Sequence, residues 1–240
     1  ELRTRGCERA LLISATGTGK TYLAAFDVLA FKPRRFLFVV HRRNIALAAM
    51  KTFRKLLGDG ISMGLYSGSK QEISCDFLFA TVQTISKSEH LNLFYPDHFD
   101  YVVIDESHRA GAASYGRIID HFEPAFMLGM TATPERTDGL DIFSLFDHNI
   151  AYEIRLNKAL EEEMVSPFHY YGVADLTVNG AVVDDVIEFN YLTVEERVDR
   201  IIEKTSLYGC DSGDPRGLVF CSLKEEANFL SLAFNRKGFR

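Results

Sequence analysis

Five short apolar runs recur before Pro134, and each is bounded by charged or turn-forming residues. They occupy residues 10–13, 36–40, 77–80, 101–104 and 126–130. Continuous apolarity of this length is typical of strands that are buried on both faces, as in a parallel sheet. Helical patterns separate the runs, notably over residues 22–30 and 45–57. The alternation of strand and helix predicts a doubly wound α/β domain over residues 1–150.

The pattern changes after Pro134. Residues 147–190 mix charged and aromatic side chains, and the pair Asn179-Gly180 favours a tight hairpin turn. We interpret residues 151–190 as the end of the first domain together with a connecting segment.

Strand and helix alternate again over residues 191–240. Thr193 and Glu196 form a capping box at the start of a helical pattern. Residues 217–221 predict a buried strand, and residues 224–235 predict a further helix. These elements predict that a second, truncated α/β domain begins within the chain.

Composition narrows the class of protein. The chain has 240 residues, a net charge of −6 and a pI near 5.7, so any nucleic-acid contact must come from a local basic patch. It lacks an apolar run of eighteen residues, which favours a soluble protein without a membrane partner. Its four cysteines form no CxxC pair, and reduced thiols in the cytoplasm are the best interpretation.

A glycine-rich loop follows the first predicted strand and leads directly into a predicted helix. The loop spans residues 15–21 with the sequence ATGTGKT, and the candidate nucleotide-binding residues are Thr16, Gly17, Thr18, Gly19, Lys20 and Thr21. Backbone N–H groups and a helix N-terminus at such a turn favour an anion. Lys20 would neutralise the terminal phosphates, and the Thr21 hydroxyl would bind Mg²⁺. Ser14 departs from the usual pattern, since it holds the position of the first glycine; the alternative is a turn that merely connects strand and helix.

Two carboxylates stand at the end of the fourth apolar run, where ligands bind in open parallel sheets. Asp105 would orient Mg²⁺, and Glu106 would accept a proton from the water that attacks the γ-phosphate. An Asp-Glu pair in this position is also compatible with a solvated turn or a helix cap. Its combination with the phosphate loop favours the catalytic interpretation, with Lys20, Asp105 and Glu106 as catalytic residues.

Three ordered segments resemble motifs I, II and III of superfamily-2 helicases and translocases. They are residues 15–21, residues 105–108 (Asp-Glu-Ser-His) and residues 131–134 (Thr-Ala-Thr-Pro). The serine in the second motif and the sequence that extends the third to residue 139 are similar to the branch of restriction-enzyme subunits and bacterial DEAD/DEAH repair helicases. The resemblance covers residues 10–138, and more weakly residues 217–229 as motif IV. It implies a RecA-like P-loop NTPase domain and the beginning of a second RecA-like domain.

The resemblance also assigns roles outside the nucleotide site. It implies that Thr131 and Thr133 hydrogen-bond toward the Asp-Glu loop and couple it to the rest of the motor. The alternative is that these short hydroxyl side chains only satisfy backbone groups. His108 would bridge the nucleotide site to a partner domain, or be an ordinary polar residue of a helix. Candidate nucleic-acid contacts are Arg42, Arg43, Ser67, Gly68, Thr81 and Gln83. Without the resemblance, Arg42 and Arg43 are equally compatible with a solvated charge pair on a surface turn. Their polar side chains suit phosphates rather than bases, so little sequence specificity is expected.

The resemblance implies an ATP-driven, nucleic-acid-dependent motor that uses ATP and Mg²⁺. DNA is favoured by the restriction and repair branch alone. The family's arginine finger is expected beyond Arg240, so we expect a fragment that binds nucleotide but turns it over slowly. A GTP-dependent switch is disfavoured because no Asn-Lys-x-Asp motif is present. A nucleotide-gated nucleic-acid-binding or scaffold module with vestigial hydrolysis remains the alternative, and the variant Lys20→Ala discriminates between the two.

Overall fold

The computed structural model describes residues 1–109, 113–135, 141–172, 177–178, 181–182, 194–209 and 215–239. These residues form two compact units, Glu1–Phe168 and His169–Arg240.

An eight-stranded sheet forms the centre of the first unit. In chain order its strands are β1 (Arg9–Ser14), β2 (Phe36–Val40), β3 (Met63–Ser67), β4 (Lys70–Gln71), β5 (Phe77–Thr81), β6 (Tyr101–Ile104), β7 (Phe126–Thr131) and β8 (Ile150–Ile154). Their order across the sheet is β4-β3-β5-β2-β6-β7-β1-β8. Neighbouring strands run parallel, apart from the short β3–β4 pair. The predicted α/β fold with a parallel sheet is confirmed.

Helices cover both faces of this sheet. They are α1 (Lys20–Phe31), α2 (Arg43–Leu57), α3 (Val82–Ile85), α4 (Ser88–Leu91), α5 (Ala113–His121) and α6 (Leu156–Glu161). Helices α1 and α2 pack on one face, where Phe53 of α2 contacts Phe36 and Phe38 with ring centroids 5.2 and 5.6 Å apart. Helices α3, α4 and α5 cover the other face. Burying one such phenylalanine stabilises the fold by about 2–3 kcal/mol.

The alternating side chains of β2 show why its apolar run is continuous. Phe36 and Phe38 belong to the core beneath α1 and α2, whereas Leu37 and Val39 belong to the opposite core. All of them are fully buried. A strand between two helical layers has no solvent-facing side, so every position is apolar.

The five strands predicted from apolar runs are confirmed as β1, β2, β5, β6 and β7. The pattern did not predict β3 and β8. Strand β3 contains Gly64, where an added Cβ would approach Cys75 Sγ and the Glu72 carbonyl oxygen to 2.7 Å. Strand β8 lies at the edge of the sheet and exposes four of its five residues. Neither strand therefore has a continuous apolar run.

The second unit contains two described helices, α7 (Val194–Tyr208) and α8 (Lys224–Arg236), which confirm the helical patterns there. Strands β9 (Thr177–Val178) and β10 (Ala181–Val182) pair antiparallel. The turn residues Asn179 and Gly180, and the capping residue Thr193, lie outside the described residues.

The predicted strand at residues 217–221 is wrong. The structure assigns no strand to these residues, and Leu218 and Phe220 are 85% and 91% exposed. A strand persists through hydrogen bonds to a neighbour, and no described strand pairs with this segment. The second RecA-like domain therefore stays a prediction.

Among the helices in the described ranges, none combines the length and the apolar character that crossing a bilayer requires. The thiols of Cys7, Cys75 and Cys221 are free.

Candidate active site

The carboxyl ends of the parallel strands place the candidate residues along one edge of the sheet. The loops after β1, β6 and β7 lie on one side of this edge, and those after β2, β5 and β3 on the other. We call these the nucleotide half and the loop half. Parallel strands direct their carboxyl-end loops to the same edge, which is where ligands bind in such sheets.

The phosphate loop joins β1 to α1 in a conformation that requires glycine at two points. Gly17 and Gly19 have backbone φ angles of 91° and 86°, which residues with a side chain rarely adopt. Gly19 precedes α1, and no side chain caps the first turn of that helix. The free N–H groups of this turn and the helix dipole favour an anion at the loop.

Two hydroxyl groups brace the loop from inside. Thr18 Oγ1 donates to the Ala15 carbonyl oxygen at 2.6 Å and lies 2.5 Å from Ser14 Oγ. Ser14 is fully buried, so the residue that replaces the first glycine of the motif supports the loop. The side chain of Thr18 is engaged within the loop, whereas Thr16 is exposed and Thr21 is half-buried.

The side chain of Lys20 folds back over the loop. Its Nζ donates to the carbonyl oxygens of Ser14 and Ala15 at 2.9 and 3.3 Å. Burial lowers the pKa of Lys20, and Asp105 and Glu106 act in the opposite direction. The ammonium group is therefore held at the loop within the field of both carboxylates.

Asp105 is the buried carboxylate of the pair, with 9% of its surface exposed. Burial, and then the neighbouring Glu106, raise the pKa of Asp105 to about 6. Lys20 favours the ionised form but does not outweigh these effects. A buried carboxylate with a raised pKa gains from a nearby cation, as expected of a metal ligand.

Glu106 adopts a strained backbone conformation next to Asp105. Its φ is 53°, in the left-handed region that costs a non-glycine residue about 1–2 kcal/mol. Its Oε2 lies 3.2 Å from Nδ1 of His108. Strain of this kind clusters at functional sites, because it holds a side chain in a required direction.

His108 links this carboxylate to the loop after β7. Its Nδ1 lies 3.1 Å from Thr131 Oγ1, and that oxygen accepts a hydrogen bond from the backbone N–H of Thr133 at 3.1 Å. Ser107 Oγ donates to the Met130 carbonyl oxygen at 3.0 Å. The structure therefore brings together the three residues that the sequence suggested for coupling, and one of them, His108, contacts Glu106.

Hydroxyl groups connect the two candidate loops after β3 and β5 in the loop half. Thr81 Oγ1 donates to Ser67 Oγ at 3.3 Å and lies 3.0 Å from Thr84 Oγ1. Thr84 Oγ1 in turn accepts from the Gly68 N–H at 3.0 Å. Ser67, Thr81 and Thr84 are buried, so their hydroxyls fix the loops to each other and leave Gly68 at the surface.

Charged and amide side chains project from the loop half. Arg42, Arg43 and Gln83 are exposed, and Arg42 precedes α2, whose first turn has no side-chain cap. The guanidinium groups, the amide and the uncapped helix end offer donors to an anion.

Residues 1–136 match the family described as "Type III restriction enzyme, res subunit". The chain belongs to this family.

Two relatives extend the match to most of the chain. It is 28% identical to the Escherichia coli type I restriction enzyme EcoAI endonuclease subunit, with 92% of this chain and 31% of the relative covered. It is 27% identical to the putative ATP-dependent helicase IRC3 of Saccharomyces cerevisiae, with 85% of this chain and 32% of the relative covered. The chain thus spans about a third of each relative.

A solved structure shows the same fold. The fragment structure of a putative HsdR subunit of a type I restriction enzyme from Vibrio vulnificus YJ016 aligns with a TM-score of 0.64 and 24% identity, over 98% of this chain and 42% of that one. The chain is a superfamily-2 helicase relative of the restriction-enzyme branch, with a RecA-like α/β fold.

The candidate active site offers a carboxylate and a cation, the two kinds of group that suit a magnesium–triphosphate complex. Asp105 supplies a buried carboxylate with a raised pKa, and Lys20 supplies a cation at the loop. Mg²⁺ keeps several waters and phosphate oxygens in proteins, so a single buried carboxylate such as that of Asp105 suits it.

Two contacts at this edge of the sheet were not expected from the sequence. Ser14 was read as a departure from the motif, although its buried hydroxyl braces the loop. His41 was not among the candidate residues, although its ring contacts the side chain of Gln83. No local pattern marks either role, because each depends on a partner brought close by folding.

Proposed function

We propose that this chain binds ATP with Mg²⁺ and hydrolyses ATP in a nucleic-acid-dependent manner, as part of a helicase or translocase motor acting on DNA. The observation that carries the proposal is the convergence of Lys20, Asp105 and Glu106 at one edge of the sheet. Lys20 is held at the phosphate loop by two carbonyl oxygens, within the field of both carboxylates.

Each residue of the nucleotide half has a separate task. The loop N–H groups from Thr16 to Thr21 bind the phosphates, and Lys20 neutralises the terminal two. Thr21 and Asp105 hold Mg²⁺, which supplies charge neutralisation at the phosphate oxygens when bound. Glu106 orients a water and takes its proton. Thr131, Thr133 and His108 hold Glu106 in register with the loop after β7.

Nucleic acid is assigned to the loop half. Arg42, Arg43 and Gln83 are exposed donors suited to a phosphate backbone, and Ser67, Gly68 and Thr81 form the braced loops beside them. DNA is chosen over RNA because the relatives include an endonuclease subunit of a restriction enzyme. Phosphate contacts position a protein without specifying sequence, so weak sequence preference is expected.

The remaining features of the proposal concern the larger motor. We place the protein in the cytoplasm and pair its first unit with a second RecA-like domain, whose arginine finger accelerates turnover.

ATP hydrolysis with Mg²⁺ should be measured with and without duplex and single-stranded DNA, beside binding of a fluorescent ATP analogue. Glu106→Gln should keep analogue binding and lose hydrolysis, because the amide cannot accept the proton from water. Glu123→Gln, at an exposed loop, is the matched control. Hydrolysis by Glu106→Gln at the wild-type rate would overturn the proposal. Binding without hydrolysis in the wild type would favour a nucleotide-gated binding module.

A further inference from the structure

His41 lies where the two halves of the carboxyl edge meet. It follows β2, which is hydrogen-bonded to β5 on one side and β6 on the other. Val40 is opposite Thr81, and Val39 is opposite Ile104. His41 is thus the first residue beyond a central strand, with the loop of Gln83 on one side and the carboxylate loop on the other.

One ring nitrogen of His41 is fixed by the loop half. Gln83 Nε2 lies 3.2 Å from Nδ1 of His41. An amide nitrogen only donates, so Nδ1 accepts and the neutral ring carries its proton on Nε2. Burial and the nearby Arg109 and Arg42 lower the pKa of His41, which favours this neutral form. In the part of the chain that the structure describes, Nε2 has no hydrogen-bond partner.

The carboxylate of Glu106 lies on the other side of His41. The Asp105 N–H donates to the Val39 carbonyl oxygen at 2.9 Å, so the β2–β6 register continues beyond Ile104. His41 and Glu106 are the next residues of the two segments, and the charge of Glu106 acts to raise the pKa of His41, so the two side chains are near enough to interact. The charged groups that face His41 are Arg42, Arg109 and Glu106.

Glu106 therefore contacts the imidazole ring of His108 and lies within electrostatic range of the ring of His41. His108 contacts its Oε2 and continues to Thr131, toward the phosphate loop. His41 contacts Gln83 and is followed in the chain by the exposed Arg42 and Arg43. An Nε2–H group next to a carboxylate on a strained backbone is suited to redirect it, because a charge-assisted hydrogen bond is stronger than a neutral one.

We propose that His41 is a positioning residue that transmits occupancy of the Arg42 and Gln83 loops by a nucleic-acid phosphate backbone to the orientation of Glu106. The inference rests on the proposed function and adds a residue that connects the proposed nucleic-acid site to the proposed nucleotide site. A phosphate that engages Gln83 or Arg42 displaces the amide on Nδ1, the ring turns, and its Nε2–H changes the direction in which the Glu106 carboxylate points.

The test measures coupling between two ligands by binding alone. The dissociation constant of a slowly hydrolysed ATP analogue with Mg²⁺ is determined with and without saturating single-stranded DNA, and the ratio is the coupling factor. Allosteric coupling typically amounts to about 5–150-fold. His41→Ala should bring this factor to about 1 while each ligand alone binds within about 3-fold of the wild type.

Rescue and control variants separate positioning from a general structural effect. His41→Asn keeps an acceptor and a donor on a shorter side chain and should restore part of the coupling. His98→Ala is the matched control, because His98 is another surface histidine whose partner is Arg35, and it should keep the full factor.

Each other result overturns the inference. A wild-type coupling factor in His41→Ala would show that His41 does not transmit the effect of DNA to Glu106. A loss of DNA affinity equal to the loss of coupling would make His41 an ordinary contact. If the wild type binds both ligands but DNA does not change the affinity for the ATP analogue, there is no coupling for His41 to transmit. A wild type that binds neither ligand would instead refute the proposed function.

Discussion

The nucleotide half and the loop half of the carboxyl edge use the same kinds of side chain in different ways. In the nucleotide half, Lys20 and Asp105 are partly or largely buried, and Glu106 has a strained backbone. In the loop half, the buried hydroxyls are bonded to one another, and the charged groups are exposed.

The difference follows from what each half is proposed to bind. A reacting triphosphate needs donors and acceptors fixed before it arrives, in a site of low polarity where charges act strongly. A polymer backbone presents repeated charges at a solvated surface, where exposed arginines suffice. The nucleotide half should therefore respond strongly to single substitutions, and the loop half weakly.

The largest effect is expected for Lys20→Ala. Removing the cation at the phosphate loop should lower ATP hydrolysis by at least about 100-fold, since one lost donor to a developing charge costs that much. Steady-state ATP hydrolysis measures this. Lys51→Ala, on the exposed surface of α2, is the control. DNA binding without nucleotide should persist; a parallel loss would show that the two halves form one site.

Asp105→Asn should stabilise the nucleotide-free protein at pH 8. The raised pKa of Asp105, about 6, means that the folded state binds more protons than the unfolded state between about pH 4 and 6. The free energy of unfolding therefore falls as pH rises through that window. The amide removes this penalty, for a gain of roughly 3 kcal/mol at pH 8 that disappears near pH 4.

Urea denaturation with a metal chelator at both pH values measures this gain. Asp97→Asn, at an exposed position, should change nothing at either pH. A gain that is equal at pH 4 and pH 8 would contradict the assigned burial cost.

Thr81→Val should destabilise the loop half by about 1 kcal/mol, the usual net value of a buried hydrogen bond. The change removes the hydroxyl that joins Ser67 and Thr84 but keeps the side-chain volume. Thermal or urea denaturation detects it. Thr52→Val, on the surface of α2, should stay within about 0.5 kcal/mol of the wild type. An unchanged Thr81→Val would mean that the hydroxyl network does not hold these loops.

The smallest effect is expected for Arg42→Ala. Loss of one exposed phosphate contact should weaken DNA binding about 3–10-fold. The slope of the logarithm of the binding constant against the logarithm of salt concentration should become shallower by about 1. Fluorescence anisotropy at several salt concentrations measures both. Arg34→Ala is the control, because Arg34 is also exposed but precedes the amino end of β2, whereas Arg42 follows its carboxyl end. An equal loss of DNA affinity in the two variants would mean that DNA does not bind preferentially at the carboxyl edge of the sheet.

Local sequence was sufficient for most of the nucleotide half. The phosphate loop and residues 105–108 have fixed spacings next to buried strands, and short-range geometry places their groups. Strands β3 and β8 could not be predicted in this way, because Gly64 and the exposed edge interrupt the apolar pattern. The same reasoning failed at residues 217–221, where apolarity without a pairing strand did not give a strand.

The sequence by itself determined the α/β class, the phosphate loop, the carboxylate pair and the family motifs, because each depends on residues close together in the chain. Tertiary structure decided which hydroxyls are engaged, the raised pKa of Asp105 and the contact between His41 and Gln83. These properties arise from burial and from the register of β5, β2 and β6. Contacts across strands join residues far apart in the chain, and only the folded sheet brings them within bonding distance.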